Sequence, residues 1–371
     1  MKIPSVKVYF SEEDKKEVLR RIDECLSSGM LAQGKNVREF EDKFAKYVGV
    51  KHAVALSSGG AAIEIAMRIL NVKGKEVIVP TNTFLATASS VILAGGKVKL
   101  VDIDPDTFCI SLESLRRAVT KQTVGAIIVH VGGIITHKIE EIKKWCDDNN
   151  LWLFEDCAHA HGSRFNGKMA GTFGIAGAYS FFATKVMTSG EGGMIVTNDN
   201  NFAKKARILR DYGKPEPWVS YYTELGANWR MSDITAAIGV VQFKRLDDFI
   251  AWREKIANIY TKSLKSDSRL KLVLPKGRCS WYKYIVLLPK DIDRDDIKKR
   301  MKEKDVSLSG GVYDIPLHRQ PIFSSLKERY QFPVADDVCK RHICLPIYYG
   351  MKEEEAMYVI ETLQWALGSK R

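Results

Sequence analysis

A lysine, an aspartate and a short serine–glycine run carry most of the chemistry in this sequence. Lys185 follows the apolar run GAYSFF (177–182) and precedes the glycine-rich turn Gly190-Glu191-Gly192-Gly193. At the mouth of a buried strand a lysine is desolvated, which lowers its pKa and makes the amine nucleophilic, as a Schiff base needs. The bland alternative is an ion pair with Glu191 or a carbonyl contact. Asp156 ends the strand-like run LWLFED (151–156). A carboxylate there needs a partner: a helix N-cap, a salt bridge, or a heterocyclic nitrogen that it would keep protonated. His159 and His161 follow, but a metal site wants more ligands in a recognised spacing, so no metal is expected. Ser57-Ser58-Gly59-Gly60 opens a helix. Its unpaired amides suit a phosphate, although many such turns are glycine-rich for steric reasons alone. The glycine spacing is neither the dinucleotide fingerprint nor the P-loop. Phe84 supplies an aromatic face able to stack on a heterocycle.

These residues need elements to position them. Seven short runs read as buried strands: HAVALSS (52–58), EVIVP (76–80), KVKLVDID (97–104), VGAIIVHV (124–131), LWLFED, GAYSFF and GGMIVT (192–197). Amphipathic segments at 60–70 and 138–150 lie between them. The alternation predicts an α/β domain with a mostly parallel sheet and helices on both faces. In such sheets ligands sit beyond the carboxyl ends of the strands. Ser58, Phe84, Asp156 and Lys185 all follow strand ends, so they crowd onto one edge. A phosphate cradle, a stacking ring, an acid for a ring nitrogen and an imine-forming lysine are what pyridoxal phosphate requires.

After about residue 240 the pattern changes to a long helix (242–264), a strand (280–289) and helices at 294–305 and 352–367. We read a large cofactor domain over 15–240 and a smaller α+β domain over 241–371, with residues 1–14 packing on the smaller one. The chain has 371 residues and a net charge of +12, from 57 Lys+Arg against 45 Asp+Glu. The basic runs have acids interleaved, as in KKRMKEKD, and read as solvated helix faces rather than a nucleic-acid surface. No apolar run approaches the roughly 18 residues of a membrane helix. The amino-terminal segment lacks an apolar signal core. The seven cysteines form no close pairs. Together these point to a cytoplasmic protein that binds neither nucleic acid nor membrane.

The sequence resembles the DegT/DnrJ/EryC1/StrS aminotransferases, pyridoxal-phosphate enzymes of fold type I, over nearly its whole length. The blocks at 34–66, VPTNTFLATA (79–88), LWLFEDCAHAHGS (151–163), AYSFFATKVMTSGEGGMIVTND (178–199) and LGANWRMSDITAAIGVVQ (225–242) carry the likeness. The resemblance implies an aspartate-aminotransferase-like fold with a seven-stranded sheet. Lys185 would hold pyridoxal 5'-phosphate as a Schiff base and shuttle protons, with pyridoxamine 5'-phosphate as the intermediate form. Asp156 would pair with the pyridinium nitrogen, Phe84 would stack on the ring, and His159 would contact the ring hydroxyl, where relatives often have Gln. Ser58, Gly59, Gly60 and Ser180 match the phosphate cradle. Relatives often have Thr where Gly60 stands, so one hydroxyl is missing. Asn228 matches a residue that reaches the phosphate from the partner subunit, which implies a homodimer with its site at the interface.

The implied reaction is a ping-pong transamination from an amino acid, by resemblance L-glutamate, to a nucleotide-linked keto-hexose. A keto-inositol or a small phosphorylated polyol ketone is the alternative acceptor. Arg230, His318 and Arg319 are candidate substrate contacts, with a packed turn histidine as the alternative for His318. A sugar dehydratase would carry His in place of Lys185. A silent regulatory homologue would be expected to lose Lys185 or Asp156, and both are present.

Overall fold

A computed structural model describes residues 1–308, 311–326 and 331–368. The seven apolar runs form a single sheet: β1 (His52–Leu56), β2 (Glu76–Pro80), β3 (Lys97–Val101), β4 (Thr123–Val129), β5 (Trp152–Asp156), β6 (Ala176–Ser180) and β7 (Gly193–Thr197). Their spatial order is β1-β7-β6-β5-β4-β2-β3. Every pairing is parallel except those of β7, which runs antiparallel to β6 and β1. Six carboxyl ends therefore share one edge, and the Gly190–Gly193 turn brings the chain back into the sheet there.

Side chains alternate across a strand, so each run supplies both faces. Val54, Leu56, Val77, Val79 and Ile127 join one apolar cluster, whereas Ala53, Ala55, Ile78, Ala126 and Ile128 join the other. Both faces are covered by helices, as parallel sheets require. They are drawn from α1 (Glu12–Ser28), α2 (Lys35–Val48), α3 (Gly59–Ile69), α4 (Leu85–Leu93), α5 (Leu112–Ala118), α6 (Ile139–Asp148) and α7 (Asn200–Leu209). Helix α6 stops at the Asn149-Asn150 pair, where Asn150 adopts a left-handed φ of 55°.

The stretch expected as one helix over 242–264 is two, α8 (Asp233–Lys244) and α9 (Leu246–Leu264). The break falls at Arg245, with φ −97° and ψ −3°. Its guanidinium donates to the Tyr349 hydroxyl at 3.0 Å. Residue 240, the boundary expected from the sequence pattern, lies inside α8. Leu246, Phe249 and Ile250 of α9 pack into the cluster of α2, while Ile256, Ala257, Tyr260 and Leu264 pack with the C-terminal elements.

Those elements are an antiparallel sheet of β8 (Lys271–Leu272), β9 (Tyr284–Leu287) and β10 (His342–Leu345), with helices α10 (Arg294–Glu303), α11 (Pro333–Arg341) and α12 (Glu353–Ala366). Strand β9 is shorter than the expected 280–289. Trp281 takes a left-handed φ of 51°, and the Lys283 amide turns away to the Gly132 carbonyl at 3.3 Å. The amino-terminal arm reaches this unit through Ile3, whose amide donates to the Asp305 carbonyl at 2.8 Å. No described helix is long and apolar enough to cross a membrane.

Candidate active site

A cavity of about 670 Å³ opens over the carboxyl edge of the large sheet. The ends of β1, β5 and β6 supply Ser58, Asp156 and Ser180 to its lining. The turn after β6 supplies Lys185, and the C-terminal unit closes it with Tyr282, Lys283 and Tyr313. Ser58 caps α3 by accepting from the Ala61 amide at 3.1 Å. The first-turn amides of α3, at Gly59 and Gly60, have no helical carbonyl to pair with and carry the positive end of the helix dipole. A Cβ on Gly59 would stand 2.8 Å from Ser180 Cβ, so only glycine lets α3 sit this close to β6. A Cβ on Gly60 would meet nothing nearer than 3.6 Å.

Asp156 is buried at 4% exposure. Among the described residues neither a salt bridge nor a helix cap partners it. Instead the Thr87 hydroxyl donates to Oδ2 at 2.8 Å and the Ala158 amide to Oδ1 at 3.1 Å. Thr87 donates to the carboxylate, so the Thr83 hydroxyl, 2.8 Å away, must donate to Thr87. Burial pushes the Asp156 carboxyl above its ordinary value, while these donors and the Lys185 ammonium pull it back. A carboxylate so placed gains from a cationic N–H donor inside the cavity.

The Lys185 amide donates to the Phe182 carbonyl at 2.9 Å, which tightens the turn. Its Nζ stands 4.8 Å from the centroid of the Tyr282 ring. Among the described ion pairs none joins Lys185 to Glu191. Burial lowers the Lys185 pKa, against the raising influence of Tyr282 and Asp156. The Tyr282 phenol is pushed up by burial, but the Lys185 and Lys283 ammoniums outweigh that and leave it lowered.

His159 is buried and stacks on Tyr282 at 4.2 Å and on Tyr313 at 6.0 Å, nearly parallel to both. Burial and the neighbouring lysines hold it well below its ordinary pKa, hence neutral. The Gly132 amide lies 3.4 Å from Nδ1 and donates to it. The ring proton is therefore on Nε2, which makes His159 a donor to whatever oxygen faces it. Phe84, 64% exposed, borders the same cavity at the start of α4.

Asn228 is exposed and does not line this chain's cavity. The three candidate substrate contacts are not brought to it either. Arg230 is ion-paired to Asp211 and lies over Tyr212. His318 has both ring nitrogens engaged, with Thr81 Oγ1 at 2.7 Å and Asp336 Oδ1 at 2.9 Å. Arg319 grips the same Asp336 with two hydrogen bonds. His318 is packed in its turn, and Arg319 shares its Asp336 partner. Sequence reasoning in turn missed Thr87, Tyr282, Lys283 and Tyr313. The aromatic run SWYKY (280–284) was the signal for Tyr282 and Lys283, but it was read as strand alone. Behind β5, His130, Glu155 and Cys157 converge, yet Glu155 already accepts from His130 and from the Gly171, Phe173 and Gly174 amides. Hydrogen bonds account for that carboxylate.

Residues 12–364 match the DegT/DnrJ/EryC1/StrS aminotransferase family. The chain belongs to that family. It is 37% identical to a pleiotropic regulatory protein of Geobacillus stearothermophilus over 359 residues, 95% of either chain. It is 32% identical to the GDP-perosamine synthase of Escherichia coli O157:H7, over 92% of this chain and 93% of that one. Among solved structures, Bacillus subtilis NtdA with bound PMP superposes at a TM-score of 0.92 and 26% identity, covering 99% of this chain and 86% of that one. A GDP-4-keto-6-deoxymannose-3-dehydratase with a trapped PLP–glutamate adduct follows at 0.89 and 26%, covering 97% and 100%. The protein is a pyridoxal-phosphate-dependent aminotransferase of fold type I. Its cavity fits that cofactor: helix amides and the Gly59 close approach for a phosphate, a buried carboxylate for a ring nitrogen, and a lysine of lowered pKa.

Proposed function

We propose that the protein moves an amino group from L-glutamate to the keto group of a nucleotide-linked hexose, in two half-reactions at Lys185. The observation that carries this reading is that Lys185 and Asp156 open into one cavity, with the amine biased towards its neutral form. When bound, the cofactor supplies an electron sink for the carbon that loses its proton. Lys185 Nζ would take the proton from the amino-bearing carbon of the donor and pass it to the cofactor carbon that receives the amino group, and would move a proton the opposite way in the second half-reaction. Asp156 keeps the ring nitrogen protonated. His159 donates from Nε2 to the ring hydroxyl oxygen, Phe84 covers a ring face, and the α3 amides with Ser58 and Ser180 hold the phosphate.

Glutamate is supported by the adduct in the dehydratase structure, and the acceptor class by the GDP-perosamine synthase, named for a nucleotide-linked compound. The dehydratase likeness offers a second reading, against which Lys185 favours transamination. We also propose a homodimer. The 214–225 loop beside Asn228 exposes Trp218 at 90% and Leu225 at 85%, which suits burial against a second copy that receives Asn228. The test is cofactor-loaded enzyme given L-glutamate and a panel of nucleotide keto-sugars, keto-inositols and phosphorylated polyol ketones, with 2-oxoglutarate as readout. Turnover with a nucleotide keto-sugar supports the reading. Turnover confined to a non-nucleotide ketone overturns the acceptor class.

A further inference from the structure

We propose that Lys283 holds the α-carboxylate of the amino donor, an inference that rests on the aminotransferase reading of this cavity. Among the described residues that line the cavity, the basic side chains are Lys185 and Lys283. Lys185 Nζ is committed to bonding and proton transfer, so it cannot also neutralise a substrate anion. Lys283 Nζ stands 5.2 Å from the centroid of the Tyr282 ring, the same ring that Lys185 Nζ approaches at 4.8 Å. The two nitrogens thus share one neighbourhood at the reacting end of the cavity.

That placement selects the donor's α-carboxylate over other anions. In any α-amino acid a single carbon separates the amine from the carboxylate. A donor whose nitrogen reacts beside Lys185 therefore carries its α-carboxylate within the same neighbourhood. The phosphates of a nucleotide-linked sugar lie many bonds from its keto carbon. A carboxylate next to a cation is also held in a fixed orientation, which directs the Cα–H bond towards the base.

The backbone holds Lys283 in register with the ring-contact residue. Its amide donates to the Gly132 carbonyl at 3.3 Å, and the Gly132 amide donates to His159 Nδ1. Gly132 has φ 66°, and a Cβ there would stand 3.0 Å from Ile285 Cδ1. On the other side, Trp281 turns the chain through its left-handed φ and sends Tyr282 and Lys283 to the cavity.

The experiment uses the holoenzyme and its Lys283→Met and Lys283→Arg variants. The single-turnover loss of the cofactor's absorbance band is followed against L-glutamate and against L-alanine. Glutarate, a dicarboxylate that cannot react, is titrated by its perturbation of the same band. Loss of a charge-assisted hydrogen bond weakens binding about 10- to 100-fold. Lys283→Met is expected to raise the apparent Kd for both amino acids by a similar factor in that range. Glutarate weakens in parallel, Lys283→Arg retains most of the affinity, and cofactor loading and far-ultraviolet circular dichroism stay unchanged. A Lys283→Met enzyme whose Kd values for both amino acids match the wild type overturns the proposal. So does weakening for L-glutamate alone, because that assigns Lys283 to the side-chain carboxylate. If no amino acid converts the wild-type holoenzyme, the aminotransferase reading itself fails.

Discussion

Replacing Gly59 with alanine puts a methyl group 2.8 Å from Ser180 Cβ and 3.3 Å from Ser180 Cα. Carbon atoms pack best at about 3.5–4.0 Å, so the contact is deep in the repulsive range. The blocking atoms are the root of a side chain and the backbone itself, and neither can swing aside. Relief requires the start of α3 or the end of β6 to move, and both carry the phosphate cradle. Overpacking of this kind costs about 1–3 kcal/mol, against which alanine's better helix propensity returns at most about 1 kcal/mol. The apoprotein is expected to melt a few degrees lower, at roughly 2–4 °C per kcal/mol. Cofactor binding should weaken by about tenfold, the equivalent of about 1.4 kcal/mol. Gly60→Ala is the matched control. Its Cβ meets Ala86 Cβ at 3.6 Å and Ser58 Oγ at 3.8 Å, both ordinary contacts. It should keep or raise the melting temperature and bind the cofactor within about twofold of wild type. Apoprotein titrated with pyridoxal 5'-phosphate and followed by absorbance, beside thermal melts of the same samples, reads both quantities. A Gly59→Ala protein that binds the cofactor as tightly as wild type refutes the reasoning, as does a Gly60→Ala protein that loses it.

Burial holds the Lys185 amine below its ordinary pKa, so the folded state binds fewer protons than the unfolded one between that value and 10.5. The stability of the apoprotein therefore rises with pH across that interval. Lys185→Met removes the buried ammonium and should raise the apoprotein melting temperature by about 2 °C at pH 7. The difference should shrink as the pH approaches 10, and one that stays constant contradicts the burial effect. Asp156→Asn keeps a side chain that Thr87 and Ala158 can still contact, so the fold should survive while turnover falls by at least about 100-fold. Steady-state rates beside a thermal melt check this. His318→Ala breaks contacts to Thr81 and Asp336 and should lower the melting temperature with KM for the donor within about twofold of wild type. Arg319→Ala should change neither by much, and a tenfold KM rise at constant melting temperature would return either residue to the substrate site.

What could be read from the sequence follows from topology. The large sheet is parallel except for β7, so chain direction alone assigns the carboxyl end of each strand to one edge. A residue that follows an apolar run is then placed at that edge without knowledge of its packing. Ser58, Phe84, Asp156 and Lys185 were legible for this reason, and all four line the cavity, whereas Ser180 was reached only through the family resemblance. Their partners were not. Asp156 could be seen to need one, but the choice of Thr87 depends on how α4 lies against β5, which a strand-end rule does not reach.

The C-terminal unit contributes through a different geometry, and the same rule misleads there. His318, Arg319 and the 280–284 run all lie far along the chain from the large sheet, and each holds residues with usable chemistry. Periodicity treated SWYKY as half of a strand. The left-handed turn at Trp281 instead ends the strand at Tyr284 and delivers Tyr282 and Lys283 to the cavity. PLHRQP offered His318 and Arg319 as candidate substrate contacts, with a packed turn histidine as the alternative, and in the structure they meet Asp336 from α11 and Thr81 from the end of β2. The two outcomes differ in where the chain delivers the side chains: Tyr282 and Lys283 to the cavity, His318 and Arg319 to Asp336. Asp336 pairs with Arg319 through Nε and Nη2 and, with Thr81, engages both ring nitrogens of His318, so both side chains are held against α11 and the end of β2. Lys283 instead stands at the cavity wall beside the Tyr282 ring, which Lys185 Nζ also approaches. The direction in which the local turn aims a side chain, rather than its residue type, decides whether it reaches the cavity.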